Sequence, residues 1–131
     1  MLGLFWDRVE PLLKKAADRS FGRYEVGDIY DLLEQYDYQL FIAYEGMEVL
    51  GAAVVNPTIY PRRILLNVAF MAGEEPVEPW GIMLFDLLLK YAEELQYDGI
   101  EGQGRYGWQK KLVDNGYRYI KVGDVFEIAI Q

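Results

Sequence analysis

Apolar and polar residues recur along this chain with two periods, and the change from one to the other predicts helices first and strands second. From Leu4 to Arg19 the apolar residues Phe5, Val9, Leu12, Leu13 and Ala16 fall on one helical face, which predicts an amphipathic helix. Pro11 lies inside that span and either starts its regular part or kinks it, because proline is tolerated only in a first turn. After the breaker Gly22, a second helix over Val26–Gln35 presents Ile29, Leu32 and Leu33. Three strand-like runs follow, Gln39–Tyr44, Met47–Ile59 and Arg63–Ala72, joined through Glu45-Gly46 and Tyr60-Pro61-Arg62 as antiparallel hairpins. The second and third runs are almost wholly apolar, the pattern of a sheet covered on both faces.

A third helix from Pro79 or Trp80 to Leu95 carries Ile82, Met83, Leu84, Phe85, Leu87, Leu88 and Leu89, which predicts burial on most sides. Its length, about 16 residues, is short of the ~20 that a membrane span needs. A short strand near Gly99–Gly102 comes next, then a glycine-rich connection to Gly107 and a helix over Trp108–Asn115 closed by Gly116. Two terminal strands, Tyr117–Val122 and Asp124–Ile130, are expected to turn at Gly123-Asp124. No repeat, linker or low-complexity tract divides the 131 residues, so residues 1–131 are expected to form one domain.

Charge and the missing residue types narrow the function. With 21 acidic against 13 basic side chains the net charge is -8, a repulsive field toward nucleic acid and anionic membrane. Neither is an expected partner. The N-terminus has no charged n-region or cleavage site of a secretory signal, so the expected location is the cytoplasm where the chain is made. There is no His and no Cys, and Ser20 and Thr58 are the only aliphatic hydroxyls. Ser-His-Asp and Cys-His triads are thereby excluded, as are imidazole or thiolate metal sites, and no metal is expected.

The order helix, helix, three antiparallel strands, helix, strand, helix, strand pair resembles the GNAT fold of GCN5-related N-acetyltransferases. That resemblance implies an α+β, α/β/α-layered domain with a mixed, mostly antiparallel sheet of about six strands and about four helices. Gly104-Arg105-x-Gly107-Trp108, Leu112 and Gly116-Tyr117, with Tyr60-Pro61-Arg62-Arg63 and Met71-Ala72-Gly73, look like a group of small GNAT-like proteins of tailed bacteriophages and prophages. The resemblance implies an acetyl-CoA pyrophosphate loop between the third strand and the third helix, where amides at a helix N-terminus hold phosphate. Here that loop is Gly73-Glu74-Glu75-Pro76-Val77-Glu78-Pro79-Trp80-Gly81; two prolines remove donors and three glutamates stand where phosphate would sit. Leu112 occupies the position of the family's usual acid tyrosine.

Two readings follow. In the first, the chain is a non-catalytic GNAT-fold protein of a phage or prophage, acting in the virion or on a host protein through protein contacts, with no cofactor and with self-association allowed. Tyr60, Arg62 and Arg63 are then the candidate contact residues, the one basic and aromatic spot of an acidic chain, and a plain hairpin tip is the alternative. Eleven tyrosines fit a binding surface or ordinary sheet-edge packing equally well. In the second reading the chain is an acetyl-CoA-dependent N-acetyltransferase with an atypical loop. Glu74 or Glu101 then serves as base and Tyr106 as acid, with Ala72, Gly73, Trp80, Gly81 and Arg105 at the cofactor. Arg105 either clamps an anion or pairs with Glu101, and Trp108 is either a stacking platform or a core anchor.

Overall fold

The computed structural model describes residues 2–103, 106–123 and 125–130, with backbone alone at 106 and 107. Helix α1 (Leu2–Asp18) buries Val9, Leu12, Leu13 and Ala17, so the apolar face is the predicted one apart from its first turn. There Phe5 stays exposed and Trp6 packs inward instead. Pro11 sits inside α1 on its solvent side, where the loss of one backbone hydrogen bond exposes no buried carbonyl. Helix α2 (Val26–Gln35) opens with the Asp28 carboxylate accepting the Glu25 amide at 2.8 Å, half of a capping box.

Strands β1 (Gln39–Glu45), β2 (Glu48–Ile59) and β3 (Ile64–Gly73) form an antiparallel meander, and β4 (Gly99–Gly102) joins β3 in parallel, giving the order β1-β2-β3-β4. Gly46, at φ 60°, makes the first hairpin turn. Pro57 lies within β2 beyond the last residue that β1 reaches, so its missing N–H costs no ladder bond. Helix α3 (Trp80–Glu94) is the crossover that a parallel β3–β4 pair requires. Two cores result. On one face Val9, Leu13, Ala17 and Ile29 of α1 and α2 pack on Ala52, Val54 and Phe70; on the other Trp80, Leu84, Leu88 and Ala92 of α3 pack on Ala53, Val55 and Leu66. Adjacent residues of β2 thus serve opposite layers, which is why its sequence is continuously apolar.

Helix α4 (Tyr106–Asp114) lies against α3 through Trp108, whose ring meets Phe85 edge-on at 5.3 Å. It ends in a Schellman turn: Gly116 at φ 88° donates to the Val113 carbonyl and Tyr117 to the Leu112 carbonyl. Two expectations are corrected. Helix α3 is not buried on most sides, because one sheet covers only one face of it, leaving Met83 and Leu87 exposed. The sheet has four strands among the described residues, not about six: Tyr117–Val122 and the described part of Asp124–Ile130 enter no ladder. A strand exists only with a partner, and this segment is tied elsewhere, at Tyr117 to α3 and at Glu127 to Arg23.

Candidate functional site

The loop from β3 to α3 closes around a side chain of its own. The Trp80 indole is buried beneath it, and Nε1–H donates to the carbonyls of Glu74 at 2.8 Å and Pro76 at 3.1 Å. The ring lies flat enough on β2 and β3 that only glycine fits below it. A Cβ built on Gly51 or on its ladder partner Gly73 would stand 2.3 Å from the indole. Two of the loop's amides are committed, Glu74 to the Leu50 carbonyl and Gly81 to the Val77 carbonyl, both at 2.7 Å, while Pro76 and Pro79 have none to give. Glu74, Glu75 and Glu78 surround this entrance with exposed carboxylates. An acidic, proline-interrupted turn filled by an indole does not fit a diphosphate, which needs converging free N–H groups or cations.

The sheet opens beside this loop. The β3–β4 ladder covers Leu65–Val68 against Gly99–Gly102 and stops there, where the β2–β3 register shifts past Ala69. Beyond that point the outer edge of β3 is unpaired toward Gly73 among the described residues. Of the residues singled out for a cofactor, Ala72 and Gly81 are buried, Gly73 is half-buried and Trp80 is the plug. Arg105 lies outside the described residues, and of Tyr106 only its place in the first turn of α4 is described.

The two carboxylates offered as alternative bases stand at different ends of the sheet. Glu101 lies opposite Asn67 of β3, so seven residues of strand, roughly 20 Å, separate it from Glu74. Glu101 accepts a hydrogen bond from the Tyr60 hydroxyl at 2.8 Å, which holds that phenol's pKa above its ordinary value. Tyr60 is therefore turned toward β4, while Arg62 and Arg63 remain exposed at the hairpin, closed by the Tyr60 amide on the Arg63 carbonyl at 2.8 Å. The same sheet face carries an amide pair that sequence reasoning missed, Asn67 Nδ2 donating to Asn56 Oδ1 at 2.9 Å. Two polar residues opposite one another in apolar strands were the available signal.

Tyr117 is also engaged. Its hydroxyl donates to Asp86 and lies 3.4 Å from the Ile82 carbonyl, both on α3. Burial first, and the Asp86 hydrogen bond second, push its pKa well above the ordinary phenol value, so it keeps its proton. That geometry makes Tyr117 a clamp between α3 and the end of α4. A shallow depression of about 650 Å³ lies between α1 and the β1–β2 hairpin, lined by Arg8, Met47, Glu48, Val49, Leu50 and Glu74. Among the described residues no group of acidic side chains could hold a metal ion, and no helix is long and apolar enough to cross a membrane.

Solved structures with the same arrangement of elements span nearly this whole chain. A crystal structure described as a probable acetyltransferase aligns over 98% of this chain and 93% of its own with a TM-score of 0.74 at 14% identity. Ribosomal-protein-alanine N-acetyltransferase from Brucella melitensis biovar Abortus 2308 aligns over 95% and 94%, with a TM-score of 0.70 at 16% identity. A transcriptional regulator from Bacillus halodurans C-125 aligns over 93% and 94%, with a TM-score of 0.68 at 14% identity. No family model and no curated protein matches the sequence. The chain has the GNAT fold. At these identities the likeness is one of architecture, and proteins with unlike names share it.

Proposed function

We propose that this chain is a non-catalytic GNAT-fold protein that acts through protein contacts. The observation that carries this reading is Trp80: its indole takes the space under the strand-to-helix turn and uses two of the turn's carbonyls. One of the two alternative bases, Glu101, is already engaged as the acceptor of the Tyr60 hydroxyl. Proteins of a phage particle or of its host are the first partner class to test. The basic hairpin tip of Tyr60, Arg62 and Arg63 is the candidate contact for an acidic partner surface.

Calorimetric titration with acetyl-CoA tests the reading. No heat at millimolar cofactor is the expected result, whereas micromolar binding would overturn it. Copurification with assembled particles then tests the virion role, and its absence would remove that part alone.

A second reading, an acetyl-CoA-dependent N-acetyltransferase, is favoured by one feature. The edge of β3 from Ala69 to Gly73 is unpaired among the described residues, beyond its parallel pairing with β4, and several solved structures of this fold are named acetyltransferases. On that reading Glu101 or Glu74 and Tyr106 supply the acid-base groups, and Arg105 must compensate for the loop. The titration separates the two.

A further inference from the structure

The two edges of the sheet differ in a way that bears on association. β4 is four residues long, whereas the outer edge of β1 runs for seven, Gln39–Glu45, and pairs with no strand among the described residues. An open edge is a template for another strand unless charge, proline or a bulge blunts it. β1 has little of this protection. Its only charged residue is Glu45 at the end, it holds no proline, and where the β1–β2 register shifts the extra residue is Leu50 on β2, so β1 itself is regular. Leu40 and Ile42 face the α1–α2 layer, Phe41 and Ala43 the α3 layer. A second feature lies on the same side. Phe41 meets Tyr91 of α3 edge-on at 5.1 Å, and one and two turns back along that flank Leu87 and Met83 are 47% and 65% exposed. The opposite flank of α3 carries Phe85 and is covered by Trp108 of α4, so the bare apolar stripe borders the open strand.

Charge selects the occupant and its register. The chain carries -8, so two copies repel and meet best where no acid is set against another. Residues directly opposite in an antiparallel pair share a face, so a symmetric β1–β1 ladder must centre on a residue. Centred on Phe41 it would set Asp37 against Glu45, and centred on Ala43 it would set Glu45 against Phe41. Centred on Ile42, it sets Gln39 against Glu45, Leu40 against Tyr44 and Phe41 against Ala43, so no two acids are opposed and an amide stands beside each carboxylate. The strand is thus complementary to itself, as a two-fold interface requires. The same axis lays the two α3 helices side by side under the joined sheet. Seven residues at ~3.4 Å give about 24 Å of edge, and the sheet with its α3 layer is roughly 25 Å deep, so about 600 Å² of each copy is covered. The total of about 1,200 Å² is at the lower limit of a stable interface and fits a reversible dimer.

We infer that this chain forms a symmetric dimer in which the β1 edges of two copies pair antiparallel about Ile42 and the Met83–Leu87 flanks of α3 close beneath them. This goes beyond the proposed function and stands whether or not acetyl-CoA binds. Sedimentation of the full chain over roughly 1 to 500 micromolar tests it, because self-association depends on protomer concentration. A species of twice the chain mass is expected, in which the β1 amides not bonded to β2 become protected from hydrogen exchange. Leu87→Glu and Tyr44→Lys each place a charge at a position exposed in the single copy, Tyr44 being 72% exposed, so the circular dichroism is expected to be unchanged. Each is expected to weaken the dimer by about 10-fold or more. Phe126→Glu, exposed on the C-terminal segment, is expected to leave it intact. A monomer throughout the range overturns the inference. So does a dimer whose β1 amides still exchange freely, one that the first two variants leave intact, or one that Phe126→Glu dissolves.

Discussion

Trp80 shows how one side chain can change what a fold offers. Its aromatic ring lies over Gly51 and Gly73, two glycines that face each other across the β2–β3 ladder, and it draws the following turn down by two hydrogen bonds from Nε1. A rigid ring cannot give way as the end of a flexible chain can. Gly51→Val is therefore expected to destabilise the protein by about 1–3 kcal/mol through overpacking, read from the midpoint of urea unfolding. An unchanged midpoint would mean that the indole is not seated there. The glycines were visible in the sequence, but one lies in β2 and the other at the end of β3. Only the antiparallel register makes them a single platform.

At the scale of elements, two helices end in the same turn with different residues at its critical position. After α4, Gly116 takes the left-handed conformation, and the amides of Gly116 and Tyr117 satisfy the carbonyls of Val113 and Leu112. After α3 the same pattern runs through Gln96, at φ 63°, with its amide on the Glu93 carbonyl and that of Tyr97 on the Ala92 carbonyl. A side chain in this conformation costs roughly 1 kcal/mol that glycine does not. Gln96→Gly is expected to raise stability by about 0.5–1 kcal/mol in the same urea measurement, and a loss would show that the glutamine side chain contributes contacts of its own. The stop at Gly116 was legible because glycine announces it. The apolar pattern also places the end of α3 at Leu95, but the left-handed conformation of Gln96 is not announced, since no glycine marks it.

Across the whole molecule, the phenols link stability to alkaline pH. Tyr30 is raised by its hydrogen bond to Glu34, Tyr38 by burial, Tyr60 by its hydrogen bond to Glu101, and Tyr117 by burial and Asp86, all from an ordinary value of 10.0. The folded state therefore binds these protons more tightly than the unfolded chain. Their contribution is fully present below about pH 10 and is lost as pH rises from there through the folded values. Lys14 and Lys110 shift in the same sense through Asp18 and Asp114, but both stand in open solvent and add little. Stability is expected to fall between about pH 10 and 12, and Tyr117→Phe to remove the largest share of that slope. A slope unchanged in the variant would deny Tyr117 its role as a clamp between α3 and α4.

The sequence by itself determined the succession of helices and strands, the two covered faces of the sheet, and the absence of imidazole and thiol chemistry. Periodicity reports which side of an element is apolar, and composition reports which groups exist. It also flagged the loop from Gly73 to Gly81 as poor in donors, because prolines and glutamates carry that information locally. Whether a run of alternating residues becomes a strand was decided only in three dimensions: Tyr117–Val122 has the pattern of a strand and no partner strand among the described residues. The same holds for Trp80, placed under the turn by register, and for the distance between Glu74 and Glu101, set by where β4 meets β3. Pairing and separation are relations between distant parts of the chain, and no local pattern encodes them.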